Sequence, residues 1–237
     1  MARKPTTQQL ATWDRRYLWH PFTQMQEWER EDPVIIERGK GSYLIDTEGK
    51  KYLDGTSSIW VNLHGHRHPI LDRAIKRQLD KIAHSTFLGL SNPPAIELAR
   101  ELIRIAPKGL TRVFYSDNGS TAVEIALKMA VQYWQQRHPK AGPKNTFLHL
   151  KLAYHGDTIG AVSVGNIALF HSRFKPLLFP TLEAEPPHCY RCPLNLTHPS
   201  CPMACPDPLE QLVQRRLTDL AGFIIETVMQ AAAGMLP

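Results

Sequence analysis

Apolar and polar residues alternate early in the chain, and the alternation predicts β-structure. Residues 34–54 read as a short antiparallel pair. Ser42-Tyr-Leu-Ile-Asp46 and Lys51-Tyr-Leu-Asp54 send successive side chains to opposite faces around the turn Asp46-Thr-Glu-Gly49. The period then lengthens to that of a helix. Leu71, Ile75, Leu79 and Ile82 follow Pro69, and Ala95, Leu98, Leu102 and Ala106 follow Pro93-Pro94, which predicts two amphipathic helices. Arg112-Val-Phe-Tyr115 predicts a short strand and Ser116-Asp-Asn-Gly119 a turn. From Ser120 a long helix is expected, with Val123, Ala126, Leu127, Ala130, Val131 and Trp134 as its apolar stripe and Glu124 and Lys128 as an i,i+4 pair. Thr146-Phe-Leu-His-Leu150 predicts a second strand, leading into a loop through Tyr154-His-Gly156. Gly222-Phe-Ile-Ile-Glu226 predicts a third, ending in a carboxylate.

Strands alternating with helices of this length predict an α/β fold: a mostly parallel sheet flanked by helices, preceded by a small N-terminal β-containing segment. Ligands of such sheets gather at the carboxyl ends of the strands. Prolines crowd residues 176–208, where Pro186-Pro187, Pro193, Pro199, Pro202 and Pro206 predict an ordered insertion or long loop without regular elements.

Composition narrows the class of protein. With 43% hydrophobic and 21% charged residues, the chain has the balance of a soluble globular protein. It carries no secretory h-region and no apolar run near the ~20 residues that span a bilayer, so a cytoplasmic protein without membrane partners is expected. The formal charge of +6 is scattered, with no basic block. That argues against a nucleic-acid partner and for an anionic small molecule.

Several segments carry candidate chemistry. Asn118-Gly119-Ser120 lies where a strand hands over to a helix, so backbone N–H groups, the helix dipole and a hydroxyl can converge there. The tripeptide fits a phosphate site or an ordinary helix cap. Ala153-Tyr-His-Gly-Asp157 sets an aromatic ring, an imidazole and a carboxylate just beyond a strand's carboxyl end, a place suited to a ring-stacking ligand. His64-Gly-His-Arg-His68 reads as a loop entering a helix rather than a metal site. All four cysteines fall in Cys189-Tyr-Arg-Cys192 and Cys201-Pro-Met-Ala-Cys205. Their C-x2-C-x8-C-x3-C spacing matches no standard finger, and both a structural metal and plain loop cysteines fit it.

Together these segments resemble the class III aminotransferases among the fold-type I pyridoxal-phosphate enzymes. The markers are Tyr17-Leu-Trp-His-Pro-Phe-Thr-Gln-Met25, Leu53-Asp-Gly-Thr-Ser-Ser-Ile-Trp60 with His64-Gly-His66, Ser116-Asp-Asn-Gly-Ser120 with Ala122-Val-Glu-Ile-Ala-Leu-Lys-Met129, Tyr154-His-Gly-Asp-Thr158, and Ile225-Glu226 with Gln230-Ala-Ala-Ala-Gly-Met235. The resemblance implies that Gly119 and Ser120 hold the phosphate of pyridoxal 5'-phosphate, that Tyr154 stacks on its ring, and that Glu226 lies nearby. It implies that Tyr17 and Trp60 face the substrate. Ile59 stands where several relatives have another tryptophan, Glu226-Thr227 replaces the usual Glu-Pro, and the cysteine loop is not a general family feature.

The Trp19-His-Pro-Phe-Thr23 and Ser57-Ser-Ile-Trp60 segments are nearest to the members that serve biotin synthesis. For those, the resemblance implies ping-pong transfer of an amino group from S-adenosylmethionine to 8-amino-7-oxononanoate, by a homodimer. Another class III enzyme acting on an ω-amino acid or a diamine is the nearest alternative. A non-catalytic phosphate- or metal-binding module is the alternative from a different class. By the same resemblance, residues 1–66 belong to the small domain and 67–237 to the first part of the cofactor-binding large domain. The chain is expected to stop before the aspartate that meets the pyridine nitrogen and before the Schiff-base lysine. The isolated 237-residue chain is accordingly expected to be inactive.

Overall fold

The computed structural model describes residues 4–140, 142–165 and 167–232. The chain forms two compact units, Met1–Glu101 and Leu102–Pro237.

The first unit opens with α1 (Thr7–Tyr17), which hydrophobic spacing does not announce because only Ala11 of it is buried. Its start is fixed by a capping box: the Thr6 hydroxyl accepts from the Gln9 amide, and the Gln9 side chain accepts from the Thr6 amide. The short α2 (Met25–Trp28) is tied back through Asp14, whose carboxylate accepts from the Trp28 indole N–H at 2.7 Å. The antiparallel sheet that follows has the order β1-β2-β3, from β1 (Ile36–Lys40), β2 (Tyr43–Asp46) and β3 (Lys51–Leu53). The expected hairpin is β2 and β3, with Leu44 opposite Tyr52. Buried Asp46 holds its turn, taking the Glu48 and Lys50 amides at 2.9 Å each and the Tyr52 hydroxyl at 2.9 Å. β1 is an addition to the expected pair, since Ile36-Glu-Arg-Gly-Lys40 is largely exposed and shows no apolar alternation.

After β3 comes a single turn, α3 (Ser57–Trp60), in which four consecutive residues have φ between 51° and 67°. It is left-handed. The two expected amphipathic helices follow as α4 (Pro69–Leu79) and α5 (Pro93–Ile105), each opened by proline in its first turn, where the missing N–H costs nothing.

The second unit is built on a parallel sheet of order β5-β4-β6, from β4 (Thr146–Leu150), β5 (Leu182–Ala184) and β6 (Leu220–Phe223). The long helix is α6 (Gly119–Arg137). Its Leu127 packs with Phe147 of β4, Ala221 of β6 and Val164, flanked by Val123, Ala130, Val131, Trp134 and Ile224. The Trp134 indole N–H donates to the Ala221 carbonyl at 2.8 Å, tying helix to sheet. Two short helices, α7 (Ile159–Ser163) and α8 (Ala168–His171), follow β4, and α9 (Pro206–Arg215) precedes β6.

Three expectations are corrected. Arg112–Tyr115 forms no strand, because among the described residues no strand pairs with it. The last strand is Leu220–Phe223 rather than Gly222–Glu226, so the glutamate lies past the ladder. The proline-rich stretch does contain a regular element, since β5 fits between Pro180 and Pro186, and Pro206 and Pro208 sit in the first turn of α9. Of the Gln230-Ala-Ala-Ala-Gly-Met235 marker, residues 233–235 lie outside the described residues.

Candidate functional site

Because β4 and β6 run parallel, the segments after both strands emerge at the same side of the sheet. The N-terminus of α6 joins them there through hydrogen bonds.

At that N-terminus the Asn118 side chain accepts from the Thr121 amide at 3.0 Å, so Asn118 is the cap. Capping uses only the third helical amide. Gly119 and Ser120, the first two helical residues, have N–H groups with no acceptor in their own helix, aimed along the positive end of the dipole. The cap and the anion site are therefore compatible. A Cβ at Gly119 would meet nothing within 4 Å, which leaves the space above these amides open. The neighbouring Asp117 is engaged locally. The Thr121 hydroxyl donates to it at 2.6 Å and holds its carboxyl below the usual range.

Gly156 closes the loop after β4 onto this helix end. Its φ is +126°, and a Cβ there would lie 2.1 Å from Ser120 Oγ, so no other residue fits without displacement. The next amide, Asp157 N–H, donates to Ser120 Oγ at 3.1 Å. The Ser120 hydroxyl proton remains available to a further acceptor.

Tyr154 is anchored at both ends. Its amide donates to Glu226 Oε1 at 2.9 Å, and its hydroxyl donates to Asp157 Oδ2 at 2.6 Å. Burial and then the Asp157 carboxylate push its phenol up to about 12. Its ring lies nearly parallel to that of His171, 14° between planes and 6.2 Å between centroids. The second oxygen of Glu226 accepts from the Ala231 amide at 3.0 Å, so this carboxylate clasps two backbone segments. His155 next door is held below the usual imidazole value by burial, and its Nε2 is buried without a partner.

Ser120, Tyr154 and Glu226 thus fall into one bonded junction, linked by Asp157. Sequence reasoning missed the role of Glu124. Its Oε1 accepts from the amides of Gly160 at 2.6 Å and Ala161 at 3.3 Å, capping α7 from one helical turn beyond Ser120. It also missed His171.

Tyr17 and Trp60 lie in the first unit, and both are exposed, at 66% and 71%. Trp60 ends the left-handed turn, which Asp54 holds in shape. The Asp54 carboxylate accepts from the Ser58 amide at 2.7 Å, the Ser58 hydroxyl at 2.8 Å and His66 Nε2 at 2.8 Å. Left-handed conformation disfavours β-branched Ile59 most. Replacement of Asp54 by alanine is expected to release the turn, measured as faster hydrogen exchange at the Ser58 amide. The Ser58 N–H, ahead of burial, which opposes it, keeps the Asp54 carboxyl below its usual range. A carboxylate depressed in the folded state stabilises above the unfolded value of about 3.9, and that contribution fades as pH falls through the folded value. Protection of Ser58 should therefore persist through the ordinary aspartate range and fail only below it. Unchanged exchange in Asp54→Ala would show that the turn holds itself.

The cysteines form no ready site: among the described residues no group of three or more His, Cys, Asp or Glu is placed to hold a metal ion. Cys189 and Cys192 line an open cavity of about 770 Å³ with His198, while Cys205 lines a separate one.

The family described as Aminotransferase class-III matches residues 24–237. The adenosylmethionine-8-amino-7-oxononanoate aminotransferase of Geobacter sulfurreducens is 53% identical over 97% of this chain and 51% of its own length. The crystal structure of the like-named enzyme from Methanocaldococcus jannaschii is 47% identical, with a TM-score of 0.86 over 96% of this chain and 49% of that one. An amine transaminase from an uncultivated Pseudomonas species, solved in a PLP-bound form, is 33% identical with a TM-score of 0.82 over 93% of this chain and 50% of that one. The chain spans about half the length of the curated relatives it matches. With the family matched over residues 24–237 and with this identity across both units, the chain belongs to the class III aminotransferases.

Proposed function

We propose that this chain forms part of a pyridoxal-phosphate-dependent aminotransferase of biotin synthesis, which moves the amino group of S-adenosylmethionine to 8-amino-7-oxononanoate and yields 7,8-diaminononanoate. The observation that carries the reading is the junction at Ser120, where two amides, a hydroxyl and a helix dipole lie beside an anchored tyrosine ring. A phosphate monoester joined to a planar ring suits that donor set. Bound there, pyridoxal phosphate supplies the electron-accepting ring of transamination.

The protein's own residues hold and orient. Gly119 and Ser120 receive the phosphate, Tyr154 offers a ring face, and Glu226 keeps the Tyr154 loop in place. Tyr17 and Trp60 are assigned to the substrate by family resemblance. Homodimerisation, a cytoplasmic location and the division into a small domain (1–66) and a large domain (67–237) belong to the same proposal. That division differs from the packing units, which part between Glu101 and Leu102. The higher identity to the biotin enzymes than to the amine transaminase favours this substrate pair.

The test is an assay of the gene product that carries this chain. Ready turnover of ω-amino acids with no reaction on 8-amino-7-oxononanoate would overturn the substrate assignment. Ser120→Ala is expected to weaken binding of pyridoxamine phosphate, a probe that forms no bond to lysine, by about 1–3 kcal/mol through loss of a charge-assisted hydrogen bond. Equal affinity by equilibrium dialysis would remove Ser120 from the phosphate site.

A further inference from the structure

His171 is a histidine where the surrounding packing asks for none. It ends α8 with 5% of its surface exposed, and neither ring nitrogen has a hydrogen-bond partner. Burying two unmatched polar atoms is unfavourable, and a phenylalanine would fill the same space without that penalty. The ring has two neighbours that bear on the site. It stacks on one face of Tyr154, and its Nε2 lies 3.7 Å from Asp157 Oδ1, just beyond hydrogen-bond reach. The other oxygen of that carboxylate takes the Tyr154 hydroxyl, and the Asp157 amide reaches Ser120 Oγ. Asp157 is thus shared among the ring face, the phosphate cradle and His171.

We propose that His171 is a positioning residue of this site: it backs the Tyr154 ring and, when a planar phosphorylated ligand presses on the opposite face, closes on Asp157 through Nε2. Asp157 is then locked, and with it both the tyrosine hydroxyl and the loop that holds Ser120. The inference rests on the proposed stacking role of Tyr154.

Equilibrium dialysis of the gene product that carries this chain, freed of cofactor, with pyridoxamine phosphate, and separately with inorganic phosphate, tests it. His171→Phe keeps the stacking ring and loses the nitrogen, whereas His171→Gln keeps a donor near the Nε2 position. The phenylalanine variant is expected to weaken pyridoxamine phosphate about three- to tenfold, the size of one lost hydrogen bond, with inorganic phosphate unchanged. The glutamine variant should recover part of the loss. Because His171 acts through Asp157, His171→Phe combined with Asp157→Asn should bind no worse than the weaker single variant. Wild-type affinity in His171→Phe, additive losses in the pair, or an equal loss for both ligands would each overturn the role. The stacking reading fails separately, if Tyr154→Ala binds pyridoxamine phosphate as tightly as the unaltered chain.

Discussion

Incubated with excess pyridoxal phosphate and then reduced with borohydride, the 237-residue chain is expected to carry no stoichiometric pyridoxyl-lysine and to show no turnover. The reason is where its lysines stand. A lysine that captures an aldehyde must offer an unprotonated amine, which proteins arrange by desolvation or by a nearby cation. Lys151 follows β4 but is bound to Glu185, which pushes its ammonium up and away from the free amine. Lys144 donates to the Leu217 carbonyl at 2.5 Å and lies over the Trp134 ring, 4.1 Å from its centroid. Lys128 sits on the exposed face of α6. None of the three combines a free amine with the Ser120 junction. Mass spectrometry after reduction should find, at most, slight labelling spread over many lysines. One fully modified lysine, together with product, would show that a resident residue performs the chemistry.

Gly156→Ala is expected to be the most damaging single methyl group in the second unit. Its added carbon would fall 2.1 Å from Ser120 Oγ, 2.7 Å from Ser120 Cβ and 2.8 Å from Ser120 Cα, and φ is +126°. Two of those three atoms belong to the rigid base of α6 rather than to the end of a flexible side chain. The loop must therefore withdraw. Overpacking costs about 1–3 kcal/mol and the left-sided backbone conformation about 1–2 kcal/mol more, so a loss of about 2–5 kcal/mol is expected. A urea midpoint would register it, and pyridoxamine phosphate affinity would fall with it because the Asp157 amide leaves Ser120. Gly119→Ala is the control for the urea midpoint alone, with no protein atom within 4 Å of the new carbon. Equal stability of Gly156→Ala and the unaltered chain would show that the loop is not closed on Ser120.

The parts of the fold legible in the sequence are those where a period survives. β2 with β3, α4, α5, α6 and β4 each present an apolar repeat, and each lies close to where that repeat points. The missed elements lack one. α1 is set by its capping box, β1 pairs through its backbone with exposed side chains, and β5 is three residues caught between prolines. Arg112–Tyr115 failed for the opposite reason, since an extended apolar sequence becomes a strand only beside a partner. At the site, Ser120, Tyr154 and Glu226 stood out because each sits at the end of a local pattern. Glu124 and His171 did not. Their contacts with Gly160 and Tyr154 depend on how two helices return to the sheet, which no window of sequence contains.

The clasp made by Glu226 has a consequence for motion. A single carboxylate holds the part-buried Tyr154 amide with one oxygen and the exposed Ala231 amide with the other. The loop after β4 and the stretch after β6 are thus coupled through one side chain, so a change that loosens either segment bears on the other.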